Sequence, residues 1–199
     1  MAAAGDAEQV HCQTRAEWRG WLAQHHESQR SVWLVSWRKH TGGAAVGYDD
    51  SVSEALAFGW VDSKGARLDE DRTMLYFAAR RAGSGWSRPN KQRVAGLERD
   101  GLMADAGRRV IEAAKADGSW SMLDDVEDLV VPPDLAQAFD RYPGSRGQWE
   151  GFPRSAKRGI LEWIVQAKRP DTRNKRIEET ASSAVRGERA NQWNRKPAS

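Results

Sequence analysis

Two consecutive segments carry the side chains with the most chemical promise. They are Gly59-Trp60-Val61-Asp62 and Arg80-Arg81-Ala82-Gly83-Ser84-Gly85-Trp86-Ser87-Arg88-Pro89-Asn90, with Trp33 and Trp37 upstream. A tryptophan ring buries a large apolar body but keeps one N–H that needs an acceptor. Rings flanked by polar side chains suit a pocket, where flat surfaces give contact area and a few polar groups fix orientation. On a strand, Trp60 and Asp62 point to the same face. Arg80 and Arg81 follow a strand, and Ser84, Ser87 and Asn90 lie in the loop entering a helix. A helix N-terminus presents unpaired N–H groups and partial positive charge, which suits an anionic or carbonyl-bearing ligand beside Arg80. A plainer reading needs no ligand: Ser87 or Asn90 caps the helix and an arginine pairs with Asp62.

A second basic cluster is Lys168-Arg169-Pro170-Asp171-Thr172-Arg173-Asn174-Lys175-Arg176. Arg173 and Arg176 fall on one helical face and suit phosphate or carboxylate. They also suit docking of their helix on acidic parts of the chain. No metal cluster is expected, because His25 and His26 diverge on a helix and His11 and His40 are isolated. No cofactor is expected either. Gly-x-Ser-x-Gly, dinucleotide and P-loop fingerprints are all missing. Asp62 is the one carboxylate at the site to which an acid or base role could be given.

The whole composition bounds these readings. Of 199 residues, 39% are hydrophobic and 30% charged, so the ten tryptophans supply core area that scarce Leu and Ile do not. The net charge of +3 is uneven: residues 1–140 carry 17 Lys+Arg against 22 Asp+Glu, and residues 141–199 carry 14 against 6. That asymmetry fits an anionic partner or internal docking. The single cysteine, Cys12, fits a reducing compartment. No apolar run is long enough to span a bilayer, and residues 1–10 do not read as a signal peptide. A cytoplasmic protein is expected.

The elements that must position the site follow from the pattern. Residues 1–13 read as a flexible lead. Thr14 to Glu17 form a capping box that opens a helix to about Glu27. Ser31–His40, Trp60–Leu68 and Arg72–Ala78 read as strands of a small antiparallel sheet. Between the first two, Val52–Phe58 is a short helix stopped by Gly59. Helices are then expected over Asn90–Asp100 and Ala104–Asp117, followed by an acidic connection over Ser119–Val131. Three more helices follow: one opening at Pro132-Pro133-Asp134 and ending near Pro143, one over Arg154–Lys168, and one over Asp171–Arg186. The expected fold class is α+β: a sheet of about three strands with flanking helices, then a predominantly helical C-terminal half. One domain spans 14–187, divided into a sheet-containing part (14–88) and a helical part (89–187), with a flexible tail at 188–199.

In order along the chain, Glu17-Trp18-x-x-Trp21-Leu22, Val32-Trp33-Leu34-Val35, Glu54-Ala55-Leu56-Ala57-Phe58-Gly59-Trp60-Val61-Asp62 and Trp86-Ser87-x-x-Asn90-Lys91 are followed by Ala113-Ala114-Lys115-Ala116-Asp117-Gly118-x-Trp120. Pro132-Pro133-Asp134 and Ala167-Lys168-Arg169-Pro170-x-Thr172-Arg173-x-x-Arg176-Ile177 complete the set. Together, over about residues 14–187, they resemble the YdeI/OmpD-associated family, also called bacteriocin-protection proteins. The chain departs from that pattern where the family usually has a proline before the paired arginines; Ala78-Ala79 stands there.

The resemblance implies a role in protection against bacteriocins or antimicrobial peptides and an association with an outer-membrane porin, but no reaction and no catalytic residue. Direct porin contact sits poorly with a chain read as cytoplasmic. The favoured expectation is a stress- or resistance-type binding protein. It would capture a small molecule or peptide in a Trp-lined cleft built from Trp60, Asp62, Arg80, Trp86, Ser87 and Asn90, with Arg173 and Arg176 as further ligand contacts. One alternative is an enzyme acting on such a ligand with Asp62 as acid or base. Another is a nucleic-acid-binding protein using the basic C-terminal helices.

Overall fold

A computed structural model describes residues 7–191. The chain divides into two compact units, residues 1–120 and 121–199. The helices after residue 89 are therefore shared out: two pack with the sheet, and the rest form the second unit.

The first unit contains β1 (Glu8–Val10), α1 (Arg15–His25), β2 (Ser31–Trp37), α2 (Tyr48–Ala57), β3 (Trp60–Arg67), β4 (Arg72–Ala79), α3 (Arg88–Arg99) and α4 (Asp105–Ala116). The strands form one sheet in the order β1-β2-β4-β3. The three expected strands pair antiparallel, with Val32 opposite Phe77 and Trp60 opposite Ala79. The fourth, β1, lies within the segment read as a flexible lead and runs parallel to β2, with Gln9 opposite Trp33. The sheet is thus mixed. Three residues of sequence Glu-Gln-Val carry no alternation to announce a strand, and only the free edge of β2 orders them. The 38–41 segment leaves the sheet as a 3-10 turn over Lys39–Thr41, so β2 stops short of the expected His40.

The expected capping box opens α1: Thr14 Oγ1 accepts from the Glu17 N–H at 3.2 Å, and the Glu17 carboxylate accepts from the Thr14 N–H at 3.4 Å. Trp18 and Leu22 of α1, Val52, Ala55 and Leu56 of α2, and Val32, Leu34 and Phe77 of the sheet form one core. Trp18 donates its indole N–H to the Ser51 carbonyl at 3.0 Å, joining α1 to α2. Glu54 of α2 is only 1% exposed and lies between Arg15 (2.5 Å) and Arg19 (2.6 Å). Helix α4 crosses α2 at Gly107, where any side chain would collide with the Ala57 carbonyl and lie 2.8 Å from Met103 Sδ.

The second unit contains α5 (Asp124–Glu127), α6 (Pro133–Arg141), α7 (Ser145–Glu150), α8 (Arg154–Val165) and α9 (Pro170–Val185). The acidic connection thus includes the one-turn α5, and α7 has no counterpart in the sequence reading. With glycine before and after it, α7 has little intrinsic helical preference. It is held by Trp149, which packs against Phe139 and Phe152 with ring centroids 5.5 and 6.1 Å away. Leu135, Ile160, Ile164, Ile177 and Ala181 complete this core. Of the expected tail, residues 192–199 lie outside the described residues.

Candidate functional site

Strand β4 ends at Ala79, and the Arg80 N–H still bonds the Gly59 carbonyl at 3.0 Å, so the base of the loop 80–87 is fixed to the turn before Trp60. Gly83 takes φ +72°, a left-handed conformation that glycine adopts without penalty. Its N–H donates to Asp117 Oδ2 at 3.1 Å, tying the loop to the end of α4. Trp86, 1% exposed, then packs on Trp120 with centroids 4.9 Å apart.

The Arg80 guanidinium lies 3.8 Å from the Trp86 ring centroid, a close cation–π contact. Its Nη2 donates to the Gly85 carbonyl and, at 3.5 Å, to that of Ser84. Its Nε is buried without a hydrogen-bond partner. Burial pushes the guanidinium down to about 10, with attraction to Asp62 the opposing influence. Among the described residues, no carboxylate lies within ion-pair distance of Arg80, although burying a cation normally demands one.

Arg80, Gly83 and Trp86 line a cavity of about 120 Å³ together with Val110, Ala114, Asp117 and Ser119. The Ser119 hydroxyl is also buried without a hydrogen bond of accepted geometry. Asp117 is held below the ordinary carboxylate range by Ser119, through its nearby side chain and its backbone N–H, and by the Gly83 N–H. Among the described residues, the two buried orphan polar atoms, Arg80 Nε and Ser119 Oγ, therefore belong to walls of one cavity.

The other expected site residues are placed differently. Trp60 is 1% exposed, donates its N–H to the His26 carbonyl at 3.4 Å and meets Trp21 edge-on. Trp60 and Trp86 are both core, so the expected open cleft between two rings is not formed; both indoles are needed to fill a sheet–helix core short of aliphatic residues. Asp62 does share a sheet face with Trp60, opposite Phe77, but its Oδ2 accepts from the Tyr48 hydroxyl at 2.9 Å. Burial, and then this bond, raise the Tyr48 phenol above its ordinary range. The expected arginine partner of Asp62 is thus a tyrosine.

Ser87 occupies the N-cap position of α3, yet its side chain makes no capping bond. Asn90 does not cap either; its Oδ1 accepts from Arg93 at 3.0 Å. In the second unit Arg173 grips Asp134 with two bonds of 2.6 and 3.0 Å, holding that acid below its ordinary range. Arg173 also borders an apolar cavity of about 230 Å³ lined by Met122, Val126, Leu161 and Ile164. Arg176 donates to the Trp163 carbonyl and lies over that ring at 5.0 Å. Arg173 and Arg176 thus act within the second unit and are not joined to a common ligand site with Arg80.

Asp117 and Ser119 were not singled out by their types. The available signal was their place in the motif Ala113–Trp120, where Asp117 reads as an ordinary helix end. No group of His, Cys, Asp or Glu among the described residues could hold a metal ion. No described helix is long and apolar enough to cross a membrane.

Comparison with known families divides the chain much as its packing does. Residues 128–187 match the family described as bacteriocin-protection, YdeI or OmpD-associated, so that resemblance, expected over 14–187, is carried by the helical unit. Residues 10–110 match a different model, a domain of unknown function (DUF8412). No curated protein and no solved structure matches the chain. The chain belongs to this family of unknown function through its sheet-containing unit, and its helical unit carries the YdeI/OmpD-associated, bacteriocin-protection region.

Proposed function

We propose that the protein is a cytoplasmic binding protein of stress or antimicrobial-resistance type, and that it captures the anionic or carbonyl end of a small molecule or peptide at Arg80. One observation carries this reading: Arg80 is a partly buried cation with no ion-pair partner among the described residues, and its buried Nε–H has no hydrogen-bond acceptor. A protein seldom tolerates that arrangement unless a ligand completes it, since an unpaired buried donor costs about 1–3 kcal/mol and more when charged. Trp86 supports the guanidinium from one face, and Val110 and Ala114 give an apolar wall.

The cavity bounds what can enter. At about 120 Å³, with about 10–15 Å³ of such space needed per water-sized group, it admits roughly eight to twelve non-hydrogen atoms. The cavity therefore takes one end group, and a larger ligand must extend beyond it. An enzymatic reading is weaker, because Asp62 is committed to Tyr48 and no activated nucleophile faces the cavity.

The test is titration with acetate, propionate and phosphate into the tens of millimolar, followed by tryptophan emission and thermal shift in wild type and Arg80→Met. Saturable responses that vanish in the variant are expected. If no anion gives a saturable response, or if Arg80→Met responds as wild type does, the reading is wrong.

A further inference from the structure

The cavity at Arg80 holds charges of both signs, and they do not neutralise each other. Arg80 and Arg81 line it as cations and Asp117 as an anion; among the described residues neither Arg80 nor Asp117 has an ion-pair partner, and no bond joins Arg80 to Asp117. Each Asp117 oxygen accepts one backbone N–H, Oδ2 from Gly83 at 3.1 Å and Oδ1 from Ser119 at 2.9 Å. A carboxylate offers about four acceptor positions, so with the nearby Ser119 hydroxyl counted at least one remains for a ligand donor. The Ser119 hydroxyl adds a donor-acceptor without a properly formed bond, and Trp86, Val110 and Ala114 form an apolar side.

A simple anion in this space gains Arg80 but meets the like charge of Asp117. A simple amine meets the reverse. A compact dipolar molecule satisfies both walls at once. Resting on the reading of Arg80 as a capture site, we infer that the ligand is a small free α-amino acid. Its carboxylate pairs with Arg80, its ammonium group with Asp117, and its short side chain lies against the apolar wall.

About 120 Å³ leaves room for roughly eight to twelve non-hydrogen atoms, so the two charges of the ligand lie close together, as on one carbon. Glycine, alanine and serine fit this class; an amino acid with a large side chain does not. A peptide end does not fit either, since it offers one of the two charges. Asp117 stays ionised across the neutral range, as its lowered titration range requires.

The experiment compares L-alanine, propionate, ethylamine and L-phenylalanine by calorimetry and thermal shift, in wild type and in Asp117→Asn, with circular dichroism to establish that the variant is folded. In wild type, L-alanine is expected to bind at least tenfold tighter than propionate or ethylamine, and L-phenylalanine not to bind. In Asp117→Asn the advantage of alanine over propionate is expected to fall below threefold. If propionate matches or exceeds alanine in wild type, the amino-acid inference fails while capture of anions at Arg80 stands. If none of the four compounds and no simple anion binds, both fail. The wild-type comparison decides the question even where the variant does not fold.

Discussion

Arg80→Met should leave stability nearly unchanged although it removes a partly buried, well-contacted side chain. Burial pushes the guanidinium well below its ordinary range, to about 10, which at about 1.4 kcal/mol per tenfold is roughly 3 kcal/mol against the charged form. Methionine relieves that penalty and keeps an apolar stem on the Trp86 face. Against this, the variant loses a cation–π contact worth about 0.5–2 kcal/mol and the bonds to the Gly85 and Ser84 carbonyls, about 1 kcal/mol each. The opposing effects nearly cancel, so urea denaturation at pH 7.5 should show a change within about 1 kcal/mol of zero. The same variant should lose the ligand response. In wild type, a ligand at ten times its Kd adds about 1.4 kcal/mol, and in Arg80→Met it should add nothing. A loss of 3 kcal/mol or more without ligand would mark Arg80 as a structural strut and refute the argument from an uncompensated cation.

Glu54→Ala should behave in the opposite way, because it strands Arg15 and Arg19 around an emptied buried position. Allowing for the partly exposed arginines, a loss of about 2–4 kcal/mol is expected by the same denaturation, whereas a change under 1 kcal/mol would deny the cluster its role. Gly107→Ala should cost about 1–3 kcal/mol, since its methyl group meets the Ala57 carbonyl where α4 crosses α2; a neutral result in thermal melts would mean that α4 can move aside freely. Cys12, 7% exposed, has its thiol raised to about 11 by burial and then by Glu17. It should resist iodoacetamide at pH 8 when folded and react fully in urea. The unfolded thiol ionises near 9.0 and the folded one near 11, so this contribution to stability is full below pH 9 and is lost as pH rises toward 11. Rapid labelling of the folded protein at pH 8 would contradict that.

Local rules made much of the fold legible. The Thr14–Glu17 capping box, the β-branched and aromatic run in Ser31–Trp37 and the Ile160/Ile164 stripe each appear where short-range preferences put them. So do Pro133 and Pro170 at the first turns of their helices. These signals work because capping, pleat and helical period act over a few residues. Arg80, Trp86 and the shared face of Trp60 and Asp62 were likewise visible as a polar cluster among rings.

Tertiary structure decided the rest. Whether Trp60 lines a cleft or fills a core depends on the distant Trp21 and His26. Strand β1 exists only because β2 offers it an edge, and α7 only because Trp149 finds Phe139 and Phe152. Asp62 receives a tyrosine from 14 residues upstream, and Asp117 receives the Gly83 N–H from 34 residues upstream. Such pairings depend on the path of the chain between the partners, which the identity of either residue does not encode. The sequence by itself determined which residues can carry charge, cap a helix or fill a core. Burial, set by the whole packed unit, decided which charge was left without a partner.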